Sequence, residues 1–308
     1  MAFRNDERSR FPGPLGTSPV GIGGRYPGPL GFHIPMVMGP KVMATMVKTL
    51  KMPPPAADSK TKTAHEVTYN LFNESGPVPG DVQQTGLANC SMASILAALA
   101  HTKSGRKRLQ GMITEHPIAV VTDLSAVPTD PNGPSIAKTI LSKRYFTVTL
   151  GETAIEVSDV FYTDDADRNW SLTYMRSPYR PNHTDALWSS VIEKAYAVQV
   201  GGYTEVDKET NPAIFWKMLM GSDPKHFPID ETTDLSDISA VVKAAPRVTT
   251  IATSREGAPD VLTWHGFAVL RLRGLEDPII ELYEPMMATT IKISPKKFRS
   301  NFTDIFHA

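Results

Sequence analysis

The sequence is poor in three features that mark whole classes of protein. It has one cysteine in 308 residues, which excludes an intramolecular disulfide and a zinc site built from several thiolates. It has no run of about 18 apolar residues, the length that a membrane-spanning helix needs. Its 32 basic and 32 acidic side chains cancel, so no overall charge draws it to nucleic acid or to an anionic membrane.

The same absences predict where the protein works and what it binds. A lone thiol is typical of reducing cytosol, and the charged, proline-broken amino terminus lacks the apolar core of a secretory signal. We therefore expect a cytoplasmic protein, with export as an effector as the alternative. We also expect a protein or peptide partner that is recognised locally, and no nucleic acid partner.

Residues 1–58 are rich in proline and glycine, which predicts a flexible N-terminal segment. Within it, Arg10-Phe-Pro-Gly-Pro-Leu-Gly16 recurs as Arg25-Tyr-Pro-Gly-Pro-Leu-Gly31. This repeat is either part of a tether or a motif that docks a partner twice. Near the end of the segment, five apolar residues share one face of a short predicted helix: Val42, Met43, Met46, Val47 and Leu50.

From residue 59 onward the sequence predicts an α+β protein of two lobes, divided near a pair of glycines. The helical lobe, 59–202, contains an apolar run over 88–100 and a second helix over 185–197. The remaining residues, 203–308, form a strand-rich lobe in which three segments alternate or run apolar: 248–252, 265–273 and 279–283.

Cys90 falls at the predicted amino end of the first helix, where Asn89 is a candidate N-cap. Apolar residues then repeat at intervals of three and four positions: Ala93, Leu96, Ala97 and Ala100. The amino end of a helix lowers the pKa of a thiol and so favours the nucleophilic thiolate. Cys90 is therefore a candidate catalytic nucleophile, and the alternative is a small buried hydrophobe.

Gln84 lies six residues before Cys90, across a turn that contains Gly86. This spacing lets the Gln84 side-chain amide converge with the Cys90 backbone N–H. Two such donors form an oxyanion hole, which stabilises the charge that develops on a carbonyl oxygen during attack. The neighbouring Gln83 is expected to be an exposed loop amide.

Two segments of the chain resemble the catalytic core of calpains. Gln84-Thr-Gly-Leu-Ala-Asn-Cys90 is similar to the calpain nucleophile segment, and Leu187-Trp-Ser-Ser-Val-Ile-Glu-Lys-Ala-Tyr-Ala197 is similar to the calpain pattern Leu-Trp-x-x-x-Leu-Glu-Lys-Ala-Tyr-Ala. The acidic pair Asp164-Asp165 also resembles a calpain segment. The resemblance implies a papain-like fold of two lobes, with the active site in the cleft between them. Calpains carry Asp and Trp where this chain has Asn89 and Ser91.

The calpain pattern places the general base at a histidine that starts a strand, followed further along by an Asn-Pro pair. His265 fits the histidine, and Glu284-Pro285 stands at the pair, with Glu in place of Asn. A carboxylate at Glu284 can accept the Nδ1–H of His265, which makes a Cys-His-Glu triad. Glu281, on the opposite face of the same strand, is the alternative in another register, and Met286 replaces a Trp of the family.

These residues predict a cysteine endopeptidase that cleaves protein substrates through a thioester on Cys90. One alternative is acyl transfer or deamidation on glutamine side chains, as in a transglutaminase. The other is a binding module on a decayed protease fold, suggested by Glu284, Ser91 and Met286. The residues indicate no cofactor and no metal site; calpain cores bind calcium through acidic loops, so the resemblance alone admits Ca²⁺.

Overall fold

The structure, a computed structural model, describes residues 48–56, 63–126, 137–163, 172–178, 186–274 and 276–308. All of them belong to one compact unit that spans residues 44–308. The two proline- and glycine-rich repeats, residues 42–47 of the predicted short helix and the pair Asp164-Asp165 lie outside the described residues.

The predicted α+β class is confirmed by the elements of this unit. The described helices are α1 (Cys90–His101), α2 (Lys103–Met112), α3 (Trp188–Val200), α4 (Tyr203–Lys208), α5 (Pro212–Met220), α6 (Leu235–Lys243) and α7 (Pro295–Asn301). The described strands are β1 (Lys48–Lys51), β2 (Thr63–Glu66), β3 (Ile113–Ala126), β4 (Ala137–Leu150), β5 (Thr153–Ser158), β6 (Val160–Thr163), β7 (Lys225–Pro228), β8 (Thr250–Ser254), β9 (Gly266–Arg273), β10 (Ile279–Glu284), β11 (Thr289–Ile293) and β12 (Phe302–His307).

Two predicted helices are confirmed as α1 and α3, which lie in a first hydrophobic core. All ten residues of α1 from Ser91 to Ala100 are buried, so this helix is enclosed on every side. Helix α3 ends at Gly201, whose φ of 97° lies in the left-handed region that favours glycine. With 13 residues, α3 is the longest described helix, and none of the described helices is long and apolar enough to cross a bilayer.

Three strands of the segment predicted as a helical lobe, β3, β4 and β5, join β1 from the predicted N-terminal segment in a four-stranded sheet, which the sequence analysis missed. Its strand order is β1-β3-β4-β5, with β1 parallel to β3 and the other pairs antiparallel. Strand β4 buries Phe146, Val148 and Leu150 at alternate positions. This period of two, in a stretch rich in β-branched and aromatic residues, is the local reason for a strand.

The three strands predicted in residues 203–308 are confirmed, within two residues, as β8, β9 and β10. They belong to a six-stranded antiparallel sheet with the order β11-β10-β9-β8-β12-β7. Helices α6 and α7 pack on this sheet and close a second hydrophobic core around Phe267, Leu282 and Phe298. The other face of β9 lies against α1, so the sheet contacts both cores.

The folded unit begins earlier in the chain than the boundary predicted at residue 58. Met52 and Ala56 are buried in the first core, and the Ala56 N–H donates to the Tyr174 hydroxyl at 2.8 Å. The prediction of a short helix ending near Leu50 is wrong where the structure describes it, because Lys48–Lys51 pairs as strand β1. Sheet pairing with β3 supplies backbone partners that an isolated helix of this length lacks.

Candidate active site

Cys90 is the first residue of α1 and is partly accessible. Its backbone N–H belongs to the first turn of the helix, where N–H groups have no acceptor within the helix. The partial positive charge at this end of α1 favours the thiolate over the thiol. The sulfur is therefore not sealed inside the alanines that follow it in the sequence.

His265 immediately precedes β9 and is held there by its backbone. Its N–H donates to Ser254 Oγ at 2.9 Å, and its carbonyl accepts from the Ser254 N–H at 2.9 Å. The ring meets Phe267 edge to face, with centroids 5.0 Å apart. These contacts fix the imidazole, which is 4% exposed, at the edge of the sheet that faces α1.

Gly266 lets β9 approach the start of α1 closely. A Cβ at this position would lie 3.1 Å from the Cys90 carbonyl oxygen and 2.9 Å from Ser94 Oγ. Ser94 Oγ in turn donates to the Cys90 carbonyl at 2.7 Å. No larger residue fits here without moving the helix away from His265, so the glycine brings the thiol and the imidazole together.

The Cys90 thiol and the His265 imidazole interact, and each shifts the pKa of the other. Burial alone would raise the pKa of the Cys90 thiol, but the hydrogen bond and charge of His265, with the Gly266 N–H, outweigh burial and lower it. Burial alone would lower the pKa of His265, but hydrogen bonds with Cys90 and Glu284 raise it to about 9. Both shifts favour the form of the pair in which Cys90 is a thiolate and His265 is an imidazolium.

Glu284, at the end of β10, contacts the other side of the imidazole. Its Oε1 lies 2.7 Å from His265 Nε2, and both side chains are about 5% exposed. The carboxylate also accepts the N–H groups of Met286 and Met287 at 2.7 and 2.6 Å. Burial opposes ionisation, but these hydrogen bonds and the charge of His265 lower the pKa of Glu284, which keeps it a carboxylate.

The prediction that Glu284 accepts from Nδ1–H is wrong, because Nε2 is the atom that faces it. Nε2 is at the far end of the ring from the backbone, so it is the atom that reaches Glu284 on the neighbouring strand β10. The alternative residue, Glu281, pairs instead with Arg271 and Arg273 at 2.5 and 3.0 Å and does not contact the histidine.

Gln84 is buried in the turn that leads into Cys90. Its Nε2 donates to the Leu87 carbonyl at 2.6 Å, and its backbone N–H donates to the Pro285 carbonyl at 3.0 Å. A side-chain amide carries two N–H groups, so this bond leaves one N–H of Gln84 available to another acceptor. The bond to Pro285 also ties this turn to the strand that carries Glu284.

Gln83 is not the exposed loop amide that the sequence analysis expected. It is half-buried, and its backbone exchanges two hydrogen bonds with Arg176, of 2.7 and 3.0 Å. Its side-chain Nε2 donates to the Met286 carbonyl at 3.4 Å. The residue thus helps to fix the turn after Glu284, a role that sequence spacing gives no sign of.

Glu193 is a further residue whose contact with the site was missed. Its carboxylate accepts from Asn89 Nδ2 at 2.6 Å and from the Met175 N–H at 2.9 Å. Asn89 lies at the N-cap position of α1, as predicted, but its side chain makes no capping hydrogen bond and binds Glu193 instead. The segment Leu187–Ala197 was singled out for its resemblance to calpains, but nothing in it predicts this particular contact.

The described residues contain no group of three or more His, Cys, Asp or Glu side chains arranged as metal ligands. Comparison with known proteins adds no family to this description of the site. No protein-family model matches the chain, and no curated protein matches it at a significant level.

Proposed function

We propose that the protein is a calpain-like cysteine endopeptidase with a papain-like, two-lobed fold. The observation that carries the proposal is the chain of contacts from Cys90 through His265 to Glu284. A thiol at a helix start, whose pKa is lowered by an imidazole that also meets a carboxylate, has the features of an activated nucleophile with its acid–base partner and orienting group. A structural cysteine needs none of these partners.

In the acylation step, the Cys90 thiolate attacks the carbonyl carbon of a peptide bond and a C–S bond forms. The negative charge moves to the carbonyl oxygen, where the Gln84 side-chain amide and the Cys90 backbone N–H donate to it. When this intermediate collapses, the C–N bond breaks. His265 gives its proton to the leaving amine, and the acyl group stays on Cys90 as a thioester.

Deacylation uses the same residues in reverse order. The neutral His265 takes a proton from a water molecule, whose oxygen attacks the thioester carbon. Collapse of the second intermediate breaks the C–S bond and releases a carboxylic acid. Cys90 returns as a thiolate beside the imidazolium, and Glu284 keeps the ring oriented through both steps.

The separation of the reacting groups along the chain supports a polypeptide as substrate. Cys90 belongs to a helix of the first core, whereas His265 immediately precedes β9 and Glu284 ends β10, two strands that also border the second core. A cleft between two such lobes suits an extended chain better than a small molecule. Cytoplasmic location is part of the proposal, in agreement with the lone reduced thiol.

The proposal is tested by incubating the protein with a mixture of denatured proteins and analysing the products by mass spectrometry. We expect cleaved chains with wild-type protein and none with Cys90→Ala, whose fold is checked by circular dichroism. Intact chains in which glutamine amides have become carboxylates or cross-links would favour acyl transfer instead. Equal cleavage by Cys90→Ala would refute the mechanism, and no Cys90-dependent product would favour a binding module.

A further inference from the structure

Three cationic side chains line one cavity at the opposite end of α1 from Cys90. The cavity has a volume of about 450 Å³ and is lined by Lys103, Ser104, Lys107 and Arg247. Lys103 begins α2 directly after the C-cap residue of α1, and a helix of 12 residues is about 18 Å long. The cavity is therefore separate from the candidate active site. We propose that it binds a small anion that carries two or more phosphate groups.

The basic residues of α2 divide into two that bind other parts of the fold and two that do not. Arg106 donates to two carbonyls at the end of α1, at 3.2 and 3.0 Å, and Arg108 donates to a carbonyl of α5 at 2.8 Å. In the part of the chain that the structure describes, the side chains of Lys103 and Lys107 make no hydrogen bond and no ion pair, and neither does that of Arg247. The cations that line the cavity are therefore not neutralised by these residues.

The charges around the cavity repel one another. Lys103 and Lys107 are four residues apart in α2, a spacing at which like charges on one face destabilise a helix. Helix α2 contains no acidic residue that would compensate. Arg247 adds a third positive charge from a segment far away in the chain. A bound anion would relieve this repulsion, and a local conflict that the fold leaves uncompensated is typical of a functional site.

Hydrogen bonds fix the two backbone segments that carry these charges. Thr102 Oγ1 accepts from the Gly105 N–H at 2.9 Å, which holds the start of α2. A Cβ at Gly105 would lie 2.2 Å from the Leu99 carbonyl oxygen, so the glycine lets α2 begin close against α1. Arg247 lies in the turn after α6, where its N–H donates to the Ala244 carbonyl at 2.9 Å. Because both segments are ordered before a ligand arrives, binding costs less conformational entropy.

The charge and size of the cavity favour phosphate groups over carboxylates. Three cations around one cavity match an anion that places several negative charges on few atoms, as linked phosphates do. The planar guanidinium of Arg247 can bind two oxygens of one phosphate, and each lysine supplies a point charge. The volume of about 450 Å³ falls within the usual range of small-molecule sites, about 300 to 1,000 Å³. The same phosphate chemistry occurs in free anions and in lipid headgroups.

Isothermal titration calorimetry with inorganic pyrophosphate at low ionic strength tests the site. We expect the wild-type protein to bind pyrophosphate roughly tenfold more tightly than citrate, whose charges are on carboxylates. Lys107→Gln and Arg247→Gln should each weaken binding by roughly tenfold. Lys225→Gln removes the same charge from an exposed position of β7 and should change binding by less than about twofold. Absence of pyrophosphate binding, equal binding of citrate, or an equal loss in Lys225→Gln would overturn the inference.

Vesicles distinguish a lipid headgroup from a free anion. Phosphatidylcholine vesicles that contain about 5% phosphatidylinositol bisphosphate are sedimented with the wild-type protein and with Lys107→Gln. Co-sedimentation that the variant loses would assign the site to a headgroup, and pyrophosphate binding without co-sedimentation would assign it to a free anion, so both results support the inference. Co-sedimentation that Lys107→Gln retains, without pyrophosphate binding, would overturn it. Neither measurement involves Cys90, so either outcome leaves the proposed function to its own test.

Discussion

Glu193, in the middle of α3, accepts a hydrogen bond of 2.6 Å from Asn89, the residue before Cys90. The carboxylate is fully buried and holds the start of α1 from a position 104 residues away in the chain. Burial raises the pKa of Glu193 to about 7, although the hydrogen bonds from Asn89 and from the Met175 N–H act in the opposite direction. Its ionisation therefore affects the stability of the fold around Cys90.

We expect the free energy of unfolding of the wild-type protein to fall, relative to that of Glu193→Gln, as the pH rises from 5 to 8. The folded pKa lies above the ordinary value of 4.5, so the protonated carboxyl stabilises the fold at low pH, and this contribution is lost as the pH rises through about 7. The difference in the free energy of unfolding between wild type and variant should decrease by about 2 to 3 kcal/mol over this range. Urea denaturation of both proteins measures it, and parallel pH dependences would contradict the account.

Glu284→Gln should move the alkaline limb of the pH profile of kcat/KM to lower pH. The variant loses the negative charge that helps to raise the pKa of His265, so the imidazolium loses its proton at lower pH. We also expect kcat/KM to fall by about 10²-fold. Glu281→Gln is the matched control, since Glu281 lies on the same strand but pairs with Arg271. If both variants shifted the pH profile of kcat/KM alike, the pKa of His265 would not depend on Glu284 in particular.

Gln84→Ala should lower kcat by about 10² to 10³-fold, the usual effect of losing one oxyanion donor. The rate at which iodoacetamide alkylates Cys90 should change little, because alkylation creates no oxyanion and the thiolate is stabilised by His265. Steady-state kinetics and alkylation rates of the same preparation separate the two effects. A parallel loss of alkylation would indicate that Gln84 supports the structure around Cys90 and not the transition state.

Trp264→Gly should be more stable than Trp264→Ala by about 1 kcal/mol, although both lose the indole. Glycine adopts the positive φ of this position without the steric clash that a Cβ introduces. Thermal and urea denaturation of the two variants measure the difference. Equal stabilities would show that the backbone at residue 264 relaxes without cost. They would contradict the conclusion that its positive φ is strained.

Local periodicity predicted some helices and strands of the fold, but it did not predict all strands or the order of strands in the sheets. Helix α1 and strand β9 follow from apolar residues repeated at intervals of three to four or in an unbroken run, signals contained within a dozen residues. Strand β4 was missed because its charged and polar residues weaken that signal, although Phe146, Val148 and Leu150 alternate. The sheet order depends on pairing between distant segments, which periodicity does not encode.

In the candidate site, too, individual residues could be predicted from local sequence, but contacts between distant residues could not. Cys90, His265 and Glu284 could be proposed from local sequence and resemblance, and the structure brings them together. The contacts of Glu193 with Asn89 and of Gly266 with Cys90 join residues far apart in sequence, so no spacing rule points to them. The choice of Nε2 over Nδ1 depends on where β10 places Glu284 relative to the His265 ring, which only the packed structure defines.

The pH dependence of Cys90 alkylation tests the central claim most directly, because it reports the thiolate that His265 stabilises. We predict that the alkylation of Cys90 by iodoacetamide has its inflection at a lower pH than that of an ordinary thiol, and that His265→Ala moves this inflection upward. A wild-type profile that follows a free thiol, unchanged by His265→Ala, would contradict the ion pair and the mechanism built on it.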